Sequence, residues 1–429
     1  MIHARAGAGR SLKNVADRSC LTKCFDCGGI MNNKTKAVTI PGFLANGFHA
    51  GIKENGIKDL AMIFSVIPAR ASGVFTRNHF KAAPVIIDME RIKSGTAQAI
   101  LVNSGNANAA TGKTGYEDAL AASRSASKKL DIRDELVLVA STGIIGHRLP
   151  IKKIEVGMDK LVEGMHPDGI IEAANAIMTT DKFPKISCRK KSIGTQEVTV
   201  CGIAKGAGMI EPHMATLLAF VMTDADIDNH YLNCVFKQAV NRSFNAITVD
   251  GCMSTNDTAI ILANGIAGNK KINRGSRNAS LFTEMLFSVL SDLSMAIVRD
   301  GEGATKVIEI IVDEAESVYD AKKVSYAIAN SNLVKTAFYG CDPNWGRIIS
   351  AAGSAGINFP VDAVKLYFEN IPVFARGCGI NGHERNLAEI MSREHVRVRL
   401  QLGMGNKSFK VCASDLSMEY IKINAHYRT

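Results

Sequence analysis

Apolar positions along this chain follow two rhythms. Brief runs dominated by Val, Ile, Leu and Ala, bounded by turn-forming residues, read as buried strands. They are Ala61–Ile67, Val85–Asp88, Ala99–Val102, Leu136–Ala140, Glu197–Cys201, Leu217–Met222, Ala246–Val249, Ala259–Ala263 and Ile308–Val312. Apolar residues spaced three and four apart predict amphipathic helices over Tyr116–Lys129, Ile151–Leu161, Ile170–Met178, Asn229–Arg242, Leu281–Val298, Ala321–Ala329 and Trp345–Ala352. Strands interleaved with helices, without an internal repeat, imply an α/β or α+β layered domain.

The segment Lys205–Phe220 breaks this rhythm. A glycine-containing, proline-broken loop runs through Ala215 to Thr216 and hands over at once to the apolar run Leu217–Met222. Such a junction is a place to store backbone strain and to aim a hydroxyl at the preceding carbonyl. Scission of the Ala215–Thr216 bond gives Thr216 a free amine beside its hydroxyl, a nucleophile carrying its own base. An α-amine starts near a pKa of about 7.7–8.0, whereas a lysine base needs its value of about 10.4 pulled down by roughly three units. By itself the string also reads as the start of an ordinary strand, so the surrounding sequence has to decide.

That surrounding sequence carries eight ordered motifs. They are Asn-Ser-Gly-Asn-Ala-Asn-Ala at 103–109, Ser-Thr-Gly-Ile-Ile-Gly at 141–146, Ile-Met-Thr-Thr-Asp at 177–181 and the Lys205–Phe220 segment. Thr-Val-Asp-Gly at 248–251, Asp-Gly-Glu-Gly-Ala-Thr-Lys at 300–306, Asp-Pro-Asn-Trp-Gly-Arg at 342–347 and Ile-Asn-Ala-His-Tyr-Arg-Thr at 423–429 complete the set. In order and spacing they resemble the ornithine acetyltransferase (glutamate N-acetyltransferase) family of arginine biosynthesis, from about Lys36 to the C-terminus. The resemblance implies an αββα sandwich of the self-cleaving type, followed by a smaller α/β region from about residue 310. It implies an α chain over 31–215 and a β chain over 216–429, with 216–310 completing the sandwich and 311–429 forming the smaller region. It also implies acetyl transfer from N2-acetylornithine to glutamate by a ping-pong route through an acetyl-threonine, in an α2β2 heterotetramer. No cofactor or metal is expected, and acetyl-CoA is a co-substrate in many members.

Site residues follow motif by motif. Thr142 and Gly143 come after the buried run Leu136–Ala140, where a glycine lets backbone approach an oxyanion and a hydroxyl stands beside it. The plain alternative is a strand-to-loop turn with Thr142 capping the next helix; the resemblance makes the two the oxyanion pair. Lys205 suits the α-carboxylate shared by glutamate and N-acetylornithine, and the resemblance assigns it to substrate. Thr179 or Thr180 adds a hydroxyl, with the choice open. Glu302, between Gly301 and Gly303, reads either as a solvated turn or as a carboxylate reaching a ligand; the resemblance places it with Asn424 and Thr429 around the substrate. The donor ends in an ammonium and the acceptor in a carboxylate, so the neutral Asn424 and Thr429 suit the side-chain pocket and Glu302 suits an amine. His213 stands where the family has asparagine, and reads as a loop substitution rather than a second base. His426 stands where the family has aspartate.

Composition adds boundaries. Among 429 residues the net charge is +10, spread out rather than run together. Its densest cluster, Arg189-Lys190-Lys191, reads as a solvated turn. Sparse aromatics argue against a nucleic-acid module, leaving a basic binder with a decayed site, or an aminopeptidase of the related self-cleaving fold, as rival readings. No apolar run approaches the roughly 18–20 residues of a membrane span, so a soluble, cytoplasmic protein without membrane or nucleic-acid partners is expected. The scattered Cys188, Cys201, Cys234, Cys252, Cys341, Cys378 and Cys412 read as reduced, buried thiols. Residues 1–30 carry five basic residues against two acidic ones and no periodicity. They read as a leader upstream of a functional start at Met31; a mitochondrial presequence sits badly with Asp17, Asp26 and three cysteines. Cys20, Cys24 and Cys27 have an iron–sulfur spacing but lack its aromatic and a barrel pattern.

Overall fold

The structure is a computed structural model and describes residues 38–54, 56–211 and 217–426. The leader with its three cysteines, Met31, His213, Ala215, Thr216 and Thr429 lie outside the described residues. The chain opens with β1 (Phe43–Phe48), β2 (Leu60–Phe75), α1 (Ala83–Arg91), β3 (Thr96–Asn106), α2 (Gly112–Leu130), β4 (Val137–Ile144), α3 (Ile151–Glu163) and α4 (Ile170–Ala176). There follow β5 (Lys185–Ile193), β6 (Gln196–Lys205), β7 (Leu218–Thr223), α5 (Asn229–Arg242), β8 (Ile247–Thr248), β9 (Thr258–Ala263) and α6 (Ala279–Arg299). The last part holds β10 (Val307–Ala315), α7 (Val318–Ala329), α8 (Asn332–Tyr339), α9 (Trp345–Gly353), β11 (Lys365–Phe368), β12 (Ile371–Ala375), β13 (Cys378–Gly379), α10 (Glu384–Met391), β14 (His395–Gln401), β15 (Lys407–Ser414) and α11 (Met418–His426).

Strand β2 makes two layers out of one sheet. Its first half pairs with β3 and its second half with β9, and the register with β3 slips between Phe64 and Ala69 around Pro68. A bulge holding a proline bends a strand, because that residue donates nothing to the ladder. Period-two alternation then sorts the side chains. Leu60, Met62, Leu101 and Val139 face α2 and α3. Ala61, Ile63, Val102 and Leu138 face inward, onto Ile203, Phe220, Met222 and Ile260 of the other half. Beyond these, Val200, Val221 and Ile261 pack on Phe236 of α5 and on Leu286 and Val289 of α6. Helix, sheet half, sheet half, helix: the αββα sandwich expected from the sequence is the observed fold.

The second sheet has the order β13-β12-β11-β14-β10-β15-β8. Six of its strands come from Val307 onward, and the seventh is β8, whose Ile247 and Thr248 pair with Cys412 and Ala413.

Four sequence expectations need correction. Val85–Asp88 is helical, not extended: Pro84 stands in the first turn of α1, where its missing N–H costs nothing, and Val85 and Ile87 are buried while Ile86 and Met89 are exposed. Arg189-Lys190-Lys191 is not a turn but part of β5, with Arg189 on Asp292, Lys190 on Glu197 and Lys191 on Glu284. Cys188 and Cys201 are joined in a disulfide, being directly opposed on the β5–β6 hairpin, and Cys252, Cys341 and Cys378 are exposed. Finally, α6 is by length and composition long and apolar enough to cross a membrane; in the fold it is a core helix whose apolar stripe packs on the sandwich.

Candidate active site

Lys205 closes β6 in register with Leu218, the first residue of β7. Its amine leaves its own sheet half and donates to Thr142 Oγ1 of β4 at 3.3 Å and to Thr179 Oγ1 at 2.7 Å. Thr142 is buried and Gly143 half-buried. Gly143 sits opposite Gly105 with φ +132°, and a Cβ on it would lie 2.3 Å from the Gly105 carbonyl carbon. Only glycine fits there. Asn256 ties this corner to the far strands, donating to Ser141 O at 2.8 Å and Ala107 O at 2.6 Å.

Beneath Lys205 lies a buried ionic set that the motifs only touched. Lys185 donates to Asp181 Oδ1 at 2.7 Å and to Asp300 Oδ2 at 2.6 Å, and all three side chains are hidden from solvent or nearly so. Asp181 also accepts the N–H groups of Gly206 at 2.7 Å and Thr179 at 2.9 Å, and its Oδ2 is 3.9 Å from Lys205. Burial pushes the Asp181 carboxyl upward, but Lys205 and Lys185 together hold it well below the ordinary carboxylate range. Burial lowers Lys205, against the pull of Asp181 and with the push of Lys185. Of the two threonines, Thr179 is the one that accepts from Lys205.

The other predicted residues form a second corner. Asn424 of α11 donates to Glu302 Oε2 at 2.8 Å. Glu302 lies close against Gly208, where an added Cβ would come within 2.5 Å of its carboxylate, and glycine is required at Gly303, where φ is +69° and a Cβ would meet Tyr420 N at 2.5 Å. Glu302 is close enough to raise the affinity of Lys205 for its proton, so the two corners share one field. Asp250 anchors the chain leading towards residue 212, accepting from Met209 at 2.6 Å and Ile210 at 2.8 Å. The motif at 342–347 has a structural task, since Asn344 caps α9 by accepting from Arg347 N at 3.1 Å.

Sequence reading missed Lys185, Lys53 and Asp257. A lysine four residues after the aspartate of the 177–181 motif was the available signal for Lys185. Lys53 donates to Met178 O at 2.6 Å, beside Thr179, and Asp257 accepts from Leu217 N at 3.1 Å. Nothing local marked either one. Among the described residues no group of His, Cys, Asp and Glu is placed to hold a metal ion.

A buried amine, hydroxyls and a glycine corner at the mouth of an αββα sandwich define an acyl-transfer type of site. Residues 44–429 match the ArgJ family. The Arginine biosynthesis bifunctional protein ArgJ of Syntrophotalea carbinolica is 46% identical over 393 residues, covering 91% of this chain and 100% of that protein. The protein of the same name from Geobacter sulfurreducens is 47% identical over 393 residues with the same coverage. A crystal structure of ornithine acetyltransferase complexed with ornithine, from Mycobacterium tuberculosis, is 39% identical; the match covers 43% of this chain and 98% of that one, with a TM-score of 0.38. The chain belongs to the ArgJ family.

Proposed function

We propose that this chain is a glutamate N-acetyltransferase of arginine biosynthesis, active after self-cleavage between Ala215 and Thr216. The observation that carries the reading is the Lys205 amine, held between Thr142 and Thr179 on a residue whose register partner, Leu218, comes two residues after the proposed nucleophile. Thr216 Oγ attacks the acetyl carbonyl of N2-acetylornithine, and the Thr216 amine takes the hydroxyl proton. Thr142 and Gly143 hold the oxyanion. Ornithine departs with the proton, the amine of glutamate attacks the acetyl-threonine, and N-acetylglutamate leaves. Lys205 pairs the α-carboxylate of both substrates, with Thr179 fixing its direction; Thr180 lines the same turn. Glu302, Asn424 and Thr429 surround the remainder of the substrate. The acetyl group is recycled without a cofactor, and acetyl-CoA serves as a second donor. The α and β chains stay together as an α2β2 assembly in the cytoplasm.

The test is incubation with N-acetylornithine and glutamate, with and without acetyl-CoA, while ornithine release is followed. The purified protein should consist of one fragment ending at Ala215 and one beginning at Thr216, read by N-terminal sequencing. An uncleaved chain that is fully active overturns the mechanism.

A further inference from the structure

Two of the motif carboxylates stand beside residues proposed to surround the substrate. Asp181 follows Thr179 and Thr180, and Asp300 precedes Glu302 by two positions. One ammonium binds both: Lys185 donates to Asp181 Oδ1 at 2.7 Å and to Asp300 Oδ2 at 2.6 Å, and all three side chains are shut off from solvent. Lys185 belongs to none of the motifs. Its partner across the β5–β6 hairpin is Ala204, the residue before Lys205.

From that ammonium the bonds run round a closed ring. Asp181 Oδ1 also accepts the N–H of Gly206 at 2.7 Å, while its Oδ2 accepts that of Thr179 at 2.9 Å. On the other side Asp300 Oδ2 also accepts the N–H of Lys182 at 3.0 Å. Two residues on, Glu302 donates its N–H to Ala207 O at 2.9 Å. Ala207 adjoins Gly206, so the path returns to Asp181 and Lys185. The segment that carries Lys205 is thereby tied to the Thr179 corner on one side and to the Glu302 corner on the other. Bonds joined in such a buried network hold one another in place. The charges close too: two carboxylates face two ammonium groups, Lys185 and Lys205, the latter 3.9 Å from Asp181 Oδ2. Without Lys185, an arriving carboxylate would meet two buried carboxylates and a single cation.

We propose that Lys185 is a positioning residue for substrate binding: it locks the Lys205–Thr179 corner and the Glu302–Asn424 corner in one register, and it balances the two carboxylates so that Lys205 is free for the substrate α-carboxylate. This rests on the reading of Lys205 as the partner of that group in acetyl transfer. Lys185 moves no proton and touches no reacting atom, so its loss falls on KM and not on kcat.

Removing Lys185 alone leaves two buried carboxylates without their cation, which is strongly destabilising, so the test removes one carboxylate with it. In the conservative variant Asp300→Asn, an amide oxygen takes the place of Oδ2 and accepts from Lys185 and Lys182, and the ring stays closed. In Lys185→Met/Asp300→Asn the ring is open, while the wild-type charge balance is kept. Wild type and both variants are compared by thermal melting and by steady-state ornithine release, with N-acetylornithine and glutamate varied in turn. Asp300→Asn should change both KM values by less than about threefold; the double variant should raise both by at least about tenfold, with kcat within about threefold of wild type. A folded double variant with wild-type KM values overturns the proposal, and so does a loss confined to kcat or to one substrate. If the double variant does not fold, Asp300→Leu takes its place, opening the ring while Lys185 stays on Asp181, with the same rise in both KM values expected. If neither folds, the ring serves the stability of the fold, which also overturns the proposal. A wild-type protein that releases no ornithine is a separate result, which removes the reading of function and this proposal with it.

Discussion

Lys205 and Thr142 belong to opposite halves of the sandwich, yet their amine and hydroxyl lie 3.3 Å apart in buried surroundings. The contact joins the strand that leads to the proposed nucleophile with the glycine corner proposed to hold the oxyanion. It also fixes the cation proposed to pair the α-carboxylate that both substrates share.

Replacing that cation should therefore penalise both substrates alike. Lys205→Ala should raise the KM for N-acetylornithine and for glutamate together, with a loss of about 2–5 kcal/mol for a buried charged contact. Steady-state kinetics with each substrate varied in turn measures this. A defect confined to one of them would rule out a common α-carboxylate site.

Two glycines a few residues apart separate backbone strain from close approach. Gly146 has φ +81° with open space around its Cβ position, whereas Gly143 has φ +132° and a Cβ added to it would lie 2.3 Å from the Gly105 carbonyl carbon. Gly146→Ala should cost about 1–3 kcal/mol of stability from conformation alone and leave transfer intact. Gly143→Ala should be the more destabilising and should lower transfer by about 10²–10³-fold, the usual loss when an oxyanion donor is displaced. Melting curves and initial rates of the two variants decide this, and equal effects would contradict the geometry.

Much of this was legible in the sequence because strand alternation and loop motifs are local. The αββα layers follow from runs such as Leu60–Ile63, where each residue in turn belongs to a different core. Thr142, Gly143, Lys205 and Glu302 stand in motifs whose residue types match their surroundings. The failures share a physical cause. Val85–Asp88 is rich in β-branched residues, and its helix depends on Pro84 and on tertiary contact. Lys185, Asp257 and Lys53 take much of their meaning from partners far along the chain, such as Asp300 for Lys185. The Cys188–Cys201 link likewise depends on the register of a hairpin whose first strand reads as charged and polar.

Asp88 supplies a prediction about pH. It is fully buried, accepts Val139 N–H at 2.9 Å and leaves Oδ2 without a partner. Burial raises its carboxyl well above the ordinary range, against the opposing pull of that N–H and of Arg91. The unfolded chain releases this proton near pH 3.9 while the folded chain keeps it, so stability falls as pH rises from about 4 towards neutrality. Asp88→Asn removes that penalty. Its melting temperature should exceed that of wild type by roughly a few degrees at pH 7 and match it near pH 3.5. A variant less stable at pH 7 than at pH 3.5, relative to wild type, would refute the assignment.

Lys53 is the remaining cation of the site, and its loop is built to place it. Asp59, fully buried, accepts the N–H groups of Ala50 and Ile52 at 2.6 Å and of Lys53 at 2.9 Å. The Lys53 stem lies over Gly105, where an added Cβ would come within 2.9 Å of it. The amine then bridges Met178 O at 2.6 Å and Lys58 O at 3.1 Å. The residue after Met178 is Thr179, so the bridge steadies the hydroxyl that receives Lys205. Lys53→Met should raise both KM values by roughly three- to tenfold, in line with the loss of a partly exposed charge-assisted bond. Burial lowers the Lys53 amine to about 8, with Asp59 opposing, Lys205 adding and Asp181 opposing. Its folded value is below its unfolded one, so the unfolded chain holds the extra proton between about pH 8 and 10.4, and wild-type stability gains with pH across that window. The melting temperature of Lys53→Met relative to wild type should accordingly fall from pH 7 to pH 10. A relative melting temperature that stays constant over that range, or one that rises, would show that the amine is not buried as the loop implies.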